Sequence, residues 1–460
     1  VGFFIGDKLK ILIKDTHFGI TDLTPTQLLL ISDRFTFKDA SAAMTKFGYN
    51  ERKVKKVKFA IKKENSLILR SGFLQEFLKF VKEERMNVDE IKDNRTRYDF
   101  HKKEFTQEEL RSYYNINFKY VDHQIRALKA LLKTNWGIIK APTSAGKTEI
   151  IIALMKITNL PVLILVDSIT LAIQTRERII EAGLDCGICS GKGKINGDHM
   201  ISTIGSVKKL SLSQYKVLII DEVHIAAAKR FQEFLSMTSY PLRFGFSATP
   251  DGNDKFRFAL IRQFLGDVIA EVYTDELIEN EVITPPEIHF KRISCVPTMD
   301  WPAAYECNIT KNSDRNRIAA NLALESGVPT LILYKIIDHG KELLKLLPEA
   351  ILLSGDNDSE ERESAIKKFK NGEVRILIAS NIFKQGISIN NIQTLINVSG
   401  GKSRIEVLQK LGRALRKHPG KDVALVYDFL DKGNDFTYRH SLQRMKLYKE
   451  VGYTNIIVED

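Results

Sequence analysis

Four cysteines in 460 residues are too few and too scattered for a disulfide framework, and they predict a reducing compartment. Cys186 and Cys189 form a C-x-x-C, but Cys295 lies 106 positions beyond Cys189 and Cys307 further still, so ordinary thiols are expected rather than a shared zinc site. Long apolar runs are also missing. The stretch 160–166 stops at Asp167, far short of the roughly 18 residues that mark a membrane span. The opening residues Val1–Asp7 lack a basic n-region and are too short for a signal peptide, which predicts a cytoplasmic protein with no membrane partner. No short-period repeat or low-complexity tract is present, which excludes a solenoid.

What the chain does have is length and basic charge. At roughly 150 residues per domain, 460 residues suggest about three domains, and 43% hydrophobic content is ordinary for globular cores. A net charge of +12 suits a polyanionic partner, though basicity alone identifies none.

The order of patterns predicts a small basic α+β domain over residues 1–95 and a polar linker over 96–117. Two α/β blocks at 118–275 and 284–430 follow, then a tail at 431–460 packed on the second block. In the first segment, Val57, Phe59 and Ile61 alternate with Lys56, Lys58 and Lys62, which reads as one strand with an apolar inner face and a lysine outer face. Residues 51–63 hold seven Lys or Arg against one acid, so this face is a candidate polyanion contact, or else a guarded edge strand. In the two later blocks strands and helices alternate, as in 137–140, 148–155, 162–166 and 217–220, then 330–334, 351–353, 376–379 and 423–427. Such alternation means βαβ units and parallel sheets covered by helices.

Two motifs carry the chemistry. Ala141-Pro142-Thr143-Ser144-Ala145-Gly146-Lys147-Thr148 fits a phosphate-binding loop with Ala for the first Gly. In such a loop backbone N–H groups cradle phosphates, Lys147 reaches the β- and γ-phosphates, and the Thr148 hydroxyl ligates Mg²⁺. The later Gly401-Lys402-Ser403 shares the G-K-S core but has no turn-forming residue at the matching upstream position. The apolar run 217–220 delivers Asp221 toward the metal and Glu222 toward the attacking water, with His224 closing an Asp-Glu-Val-His box. Downstream, Ser247-Ala248-Thr249 follows a strand, and Gln409-Lys410-Leu411-Gly412-Arg413-Ala414-Leu415-Arg416 places two arginines three apart, which a helix would set on one face.

In this order the motifs resemble those of superfamily 2 helicases over roughly residues 118–430. The resemblance implies two tandem RecA-like domains that hold ATP and Mg²⁺. Glu222, Asp221, Lys147, Arg413 and Arg416 would be catalytic, and Gln124, Thr143, Ser144, Ala145, Gly146, Lys147, Thr148 and Gln409 would bind nucleotide. His224, Ser247, Thr249 and Gly386, the last within Lys384-Gln385-Gly386-Ile387-Ser388-Ile389, would couple hydrolysis to movement. Ser168, Thr170 and Thr203, in segments similar to motifs Ia and Ib, would join Lys56, Lys58 and Lys62 on DNA. Thr148 and Asp221 would hold Mg²⁺, Asp221 through water.

A DEAD-type RNA helicase would carry Asp at position 224 and His at 409. His224 and Gln409, with the basic leading domain, are instead similar to phage UvsW-type branch-migration helicases. That resemblance implies a DNA helicase acting on single-stranded, forked or branched DNA, monomeric or weakly associating, and in a bacterial host's cytoplasm if phage-encoded. An RNA helicase, a non-catalytic annealing or scaffold protein and a restriction-complex motor subunit are the rival readings.

Overall fold

The computed structural model describes residues 8–459 except 42–43, 46–47, 50–52, 103, 117, 119–120, 253 and 381–388, and leaves undescribed the side chains of 44–45, 48–49, 101–102, 121, 359, 404–405, 409–410 and 413. The chain divides into two compact units. One runs up to Ala141 and resumes over Lys147–Glu271; the other is Pro142–Gly146 with everything from Val272 on. Among the described residues no helix is long and apolar enough to cross a membrane.

The first unit opens with a five-stranded sheet in the order Ile61–Lys63, Ser66–Arg70, His17–Thr21, Leu9–Ile13, Val88–Asp93. Leu9, Ile11 and Ile13 are buried while Lys10 and Leu12 are exposed, the period of two that a half-covered strand requires. Helix Pro25–Arg34 starts at a capping box of Thr24 and Gln27, and helix Leu74–Glu83 packs Phe77 against Phe18 with ring centroids 5.1 Å apart. One element carries no sequence signature here, and one sequence expectation needs correction. Val88–Asp93, for which the pattern names no element, pairs in parallel with Leu9–Ile13. An edge strand with one open face needs few apolar residues, so its pattern is silent. The lysine strand is broken as well: Lys55–Lys58 pairs with Thr36–Asp39, whereas Ile61–Lys63 pairs with Ser66–Arg70. Ile61 is 61% exposed.

The same unit continues into an eight-stranded sheet in the order Gly193–Ile195, Cys186–Ser190, His199–Thr203, Val162–Val166, Val217–Asp221, Leu242–Ser247, Trp136–Lys140, Val268–Glu271. All its neighbours are parallel except the first pair. Val162–Val166 is buried throughout, because helices cover both faces and no alternation survives. Cys186 and Cys189 lie buried on one strand, and burial pushes the Cys186 thiol up to about 12.

The leading sheet and the eight-stranded sheet share a core. Trp136 and Ala259 belong to the cluster built around Phe18, Phe35, Phe73 and Phe77. A side chain at Gly72 would collide with the Arg262 carbonyl, 1.9 Å from an added Cβ. Arg262 and Glu76 form an ion pair at 2.8 Å. The guanidinium of Arg243, only 4% exposed, donates to the Asp15 carbonyl and to Ser71 Oγ, both at 2.7 Å, and sits 4.9 Å from the Trp136 ring.

The second unit is built on a seven-stranded parallel sheet in the order Ile351–Leu353, Ile376–Ala379, Thr330–Leu333, Thr394–Asn397, Ala424–Lys432, Pro286–Ser294, Ile456–Glu459. Its last strand comes from the tail, whose helix Asp435–Glu450 is tied down through Arg444. That guanidinium donates to Asp428 and to the Gly401 carbonyl, while Tyr448 donates to Asp428 at 2.9 Å. Arg315 pairs with Asp431, both fully buried, beneath the Phe429 ring. Buried charges of this kind are satisfied in pairs or they destabilise the fold.

Candidate nucleotide site and nucleic-acid interface

Strand Trp136–Lys140 runs alongside Leu242–Ser247, and the Ala141 N–H donates to the Ser247 carbonyl at 2.9 Å, which fixes where the loop leaves the sheet. Ser144 and Gly146 both adopt positive φ, 72° and 76°. Such turns aim successive N–H groups at one point, and helix Lys147–Thr158 then presents its N-terminus to the same region. Lys147 Nζ donates to the Ala141 carbonyl at 3.3 Å and lies 3.8 Å from Glu222 Oε1.

The acidic box ends strand Val217–Asp221, next to Leu242–Ser247 in the sheet. Glu222 takes φ +52°, a left-handed conformation that turns the chain out of the strand at the functional position. Its N–H donates to Asp221 Oδ1 at 3.0 Å. Its carboxylate accepts from Ser247 Oγ at 3.3 Å, and His224 Nδ1 is 3.4 Å from Oε2. His224 Nδ1 is also 3.3 Å from Ser247 Oγ, which in turn accepts the Thr249 N–H at 3.1 Å. Burial opposes ionisation of both carboxylates. Lys147, His224 and Ser247 nevertheless hold Glu222 below the usual range. Burial and the adjacent Glu222 charge push Asp221 above it. Gly245 is required beneath this turn, because an added Cβ would come within 2.6 Å of Val223 Cγ2.

The remaining expected residues fall in several places. Gln124 is fully buried on helix Val121–Leu132. Ser168 and Thr203 follow or end neighbouring strands paired Val166 to Thr203, so the motif Ia and Ib segments emerge side by side. The Ser168 hydroxyl, however, caps helix Ile169–Glu181 by accepting the Leu171 N–H, and the Thr203 hydroxyl donates to Ser206 Oγ at 3.3 Å. Thr170 is half-buried in the first turn of that helix. Lys56 and Lys58 are exposed on one strand and Lys62 on another, so they do not form a single-strand face. Gly386 lies outside the described residues, as do the side chains of Gln409 and Arg413.

In the second unit, helix Arg404–Ala414 ends before Arg416, which corrects the expected single helical face. Lys421 Nζ donates to the Ala414 and Arg416 carbonyls and so terminates the helix, and Arg416 bridges to Ile283 instead. Pro142–Gly146 groups with this unit. Ser144 Oγ donates to the Gly412 carbonyl at 3.3 Å and accepts from Arg416 Nε at 3.4 Å. An added Cβ on Gly412 would sit 2.6 Å from Thr143 Cβ, which accounts for glycine there.

Sequence reasoning missed Arg243 and Ser71. The one available signal is a charge inside the apolar run Leu242-Arg243-Phe244-Gly245-Phe246, and it names no partner.

Tandem RecA-like parallel-sheet domains, a phosphate loop and an acidic box at adjacent strand ends make this chain a superfamily 2 helicase, by class a nucleic-acid-dependent ATPase. Residues 117–252 match the family described as type III restriction enzyme, res subunit, and residues 315–418 match the helicase conserved C-terminal domain. Within the class it resembles the UvsW type. It is 26% identical to the ATP-dependent DNA helicase uvsW of Enterobacteria phage T4, over 70% of this chain and 73% of that protein. It is also 26% identical to the DNA 3'-5' translocase XPB2 of Sulfurisphaera tokodaii, over 70% of this chain and 84% of that protein. In fold it is similar to Saccharomyces cerevisiae Dbp5 bound to RNA and ADP BeF3, with TM-score 0.55 and 19% identity over 77% of this chain and 94% of that one.

Proposed function

We propose that the protein is an ATP-dependent DNA helicase or translocase that remodels branched or forked DNA. The observation that carries the ATPase half is the cluster of Lys147, Glu222, Ser247 and His224 at the ends of adjacent parallel strands. Lys147 and the loop N–H groups receive the β- and γ-phosphates. Glu222, kept ionised by its neighbours, accepts a proton from water and orients it for in-line attack. Ser247 links Glu222 to the Thr249 backbone, a route by which hydrolysis reaches the rest of the sheet. The motif resemblance gives Arg413 and Arg416 the role of stabilising charge on the transferring γ-phosphoryl.

The donor set fits Mg²⁺. Thr148 and Asp221 are hard oxygen donors, and Asp221 has no cation that outweighs its burial. Thr148 and Asp221 would hold the ion, which would supply positive charge that neutralises the phosphates.

DNA as the track is supported by the DNA-directed names of the two sequence relatives, and the branched substrate by the UvsW-type resemblance together with the basic leading domain. The reading is tested by ATPase and unwinding assays on single-stranded, forked, four-way and RNA substrates. Stimulation by forked and four-way DNA above the others is expected, and stimulation by RNA alone would overturn it. Lys147→Ala should abolish turnover while keeping DNA binding; retained turnover would refute the site.

A further inference from the structure

The second unit carries an aromatic and basic surface that the motifs do not include. After strand Pro286–Ser294 the chain forms the short helix Trp301–Tyr305, capped by Asp300, whose carboxylate accepts the Ala303 N–H at 2.9 Å. Trp301, one of two tryptophans in the sequence, lies half-buried with its ring 4.3 Å from that of His440 and 5.5 Å from that of Tyr305. The platform is braced from below. Tyr305 donates to the Ser399 carbonyl at 2.8 Å, and Asn434 donates to the Val296 carbonyl at 3.0 Å and to Thr298 Oγ1 at 2.9 Å.

Cations surround it. Lys335, 5.9 Å from the Tyr305 ring centroid, Lys402 and Arg439 are all exposed. The field is positive at His440, where burial first and then Lys402, Arg444, Arg439 and Lys335 hold the imidazole down at about 4. Among the described residues the nearby acids include Asp300, which is occupied as a helix cap, Glu306, which pairs with Lys311, and Glu406. Lys335, Lys402, Trp301 and His440 follow the carboxyl ends of four consecutive strands in the sheet order, the edge at which open parallel sheets bind ligands.

A rigid, braced aromatic beside exposed cations is the composition that binds single strands without reading sequence: bases stack on the ring and phosphates meet the cations. We propose that Trp301 is a base-stacking site for single-stranded DNA, with Lys335, Lys402 and Arg439 holding the backbone. This rests on the DNA-motor reading above and adds a contact outside the helicase motifs.

Titrating the full chain with an oligothymidylate should quench tryptophan emission, and Trp301→Phe should remove that quench while retaining most of the affinity. Trp301→Ala should weaken binding by about ten-fold, the equivalent of about 1.4 kcal/mol. The triple change Lys335→Gln, Lys402→Gln, Arg439→Gln should lower the slope of log affinity against log salt by about 2, at roughly 0.7 per phosphate contact. Binding at parent affinity by Trp301→Ala, or a quench that persists in Trp301→Phe, would overturn the stacking site alone. A parent protein that does not bind the oligonucleotide would overturn the DNA reading with it.

Discussion

Replacing Arg243 by Met should loosen the leading α+β sheet from the motor sheet without touching the nucleotide site. Burial disfavours the charge of this arginine and the nearby Asp15 favours it, and its guanidinium spends two donors on the Asp15 carbonyl and Ser71 Oγ, each at 2.7 Å. Hydrogen bonds from a charged donor contribute roughly 1.5–3 kcal/mol each, and stacking on Trp136 adds about 0.5–2 kcal/mol. Against this stands the burial of a cation, which draws the guanidinium down from its ordinary value to about 10. That depression costs on the order of 3 kcal/mol. The balance favours the wild type by about 2 kcal/mol. Met fills most of the arginine stem, and the Asp15 carbonyl keeps the Ser71 hydroxyl at 2.8 Å, so no buried acceptor is orphaned.

For a unit of this size a loss of about 2 kcal/mol lowers the melting temperature by roughly 4–8 °C. A cation whose folded pKa is depressed destabilises the fold at all pH below that pKa and stops doing so only as pH rises through it. The difference between variant and wild type should therefore be flat from pH 6 to 9. Thermal unfolding and limited proteolysis read the result, with faster cleavage between the leading sheet and Trp136 expected. A melting temperature within 1 °C of wild type and an unchanged digest would refute the claim that this bridge holds the two sheets together. Because the sheets share Trp136 and Ala259 in one core, removal of residues 1–95 should destabilise the motor domain itself. Point substitutions are thus the cleaner probe of the leading domain's role.

Gly245→Ala should lower ATP turnover at least ten-fold with a smaller change in nucleotide affinity, since the new methyl presses on Val223 beside Glu222; single-turnover kinetics separate the two, and normal turnover would contradict the packing. Arg413→Ala and Arg416→Ala should each lose hydrolysis far more than nucleotide affinity, and equal losses in both would argue against charge stabilisation at the γ-phosphoryl. The metal requirement should steepen on acidification from pH 8 to 6, because the raised Asp221 binds a proton in competition with a divalent cation; Mg²⁺ titrations of the ATPase at each pH check this, and a pH-independent requirement would exclude Asp221 as the ligand. Ser247→Ala should raise the pKa of Glu222 by removing a hydroxyl donor, which moves the acid limb of the rate profile upward; an unmoved limb would show that the bond is not made in the working enzyme.

The motor was legible because its signals are local. The phosphate loop needs particular residues at fixed spacing to turn the backbone, and the run Val217–Asp221 must be apolar because its sheet is covered on both faces. The strand Val88–Asp93 left no such trace, since an edge strand with one solvated face tolerates almost any polar sequence. The lysine run misled for a related reason: alternation over 56–62 fits one strand, and only the pairing of its two halves with different partners shows the break. Arg416 looked helical by its spacing from Arg413, yet Lys421 takes the terminal carbonyls and ends the helix first.

By itself the sequence determined that this chain is built of covered parallel sheets with a phosphate loop and an acidic box, because those depend on periodicity and on neighbours a few residues apart. The tertiary structure alone decided that Arg243 joins the leading sheet to the strand ending in Ser247, and that Trp301 meets His440 across 139 positions. Contacts between residues so distant arise from how strands are ordered in a sheet, and no local pattern of charge or hydrophobicity encodes that order.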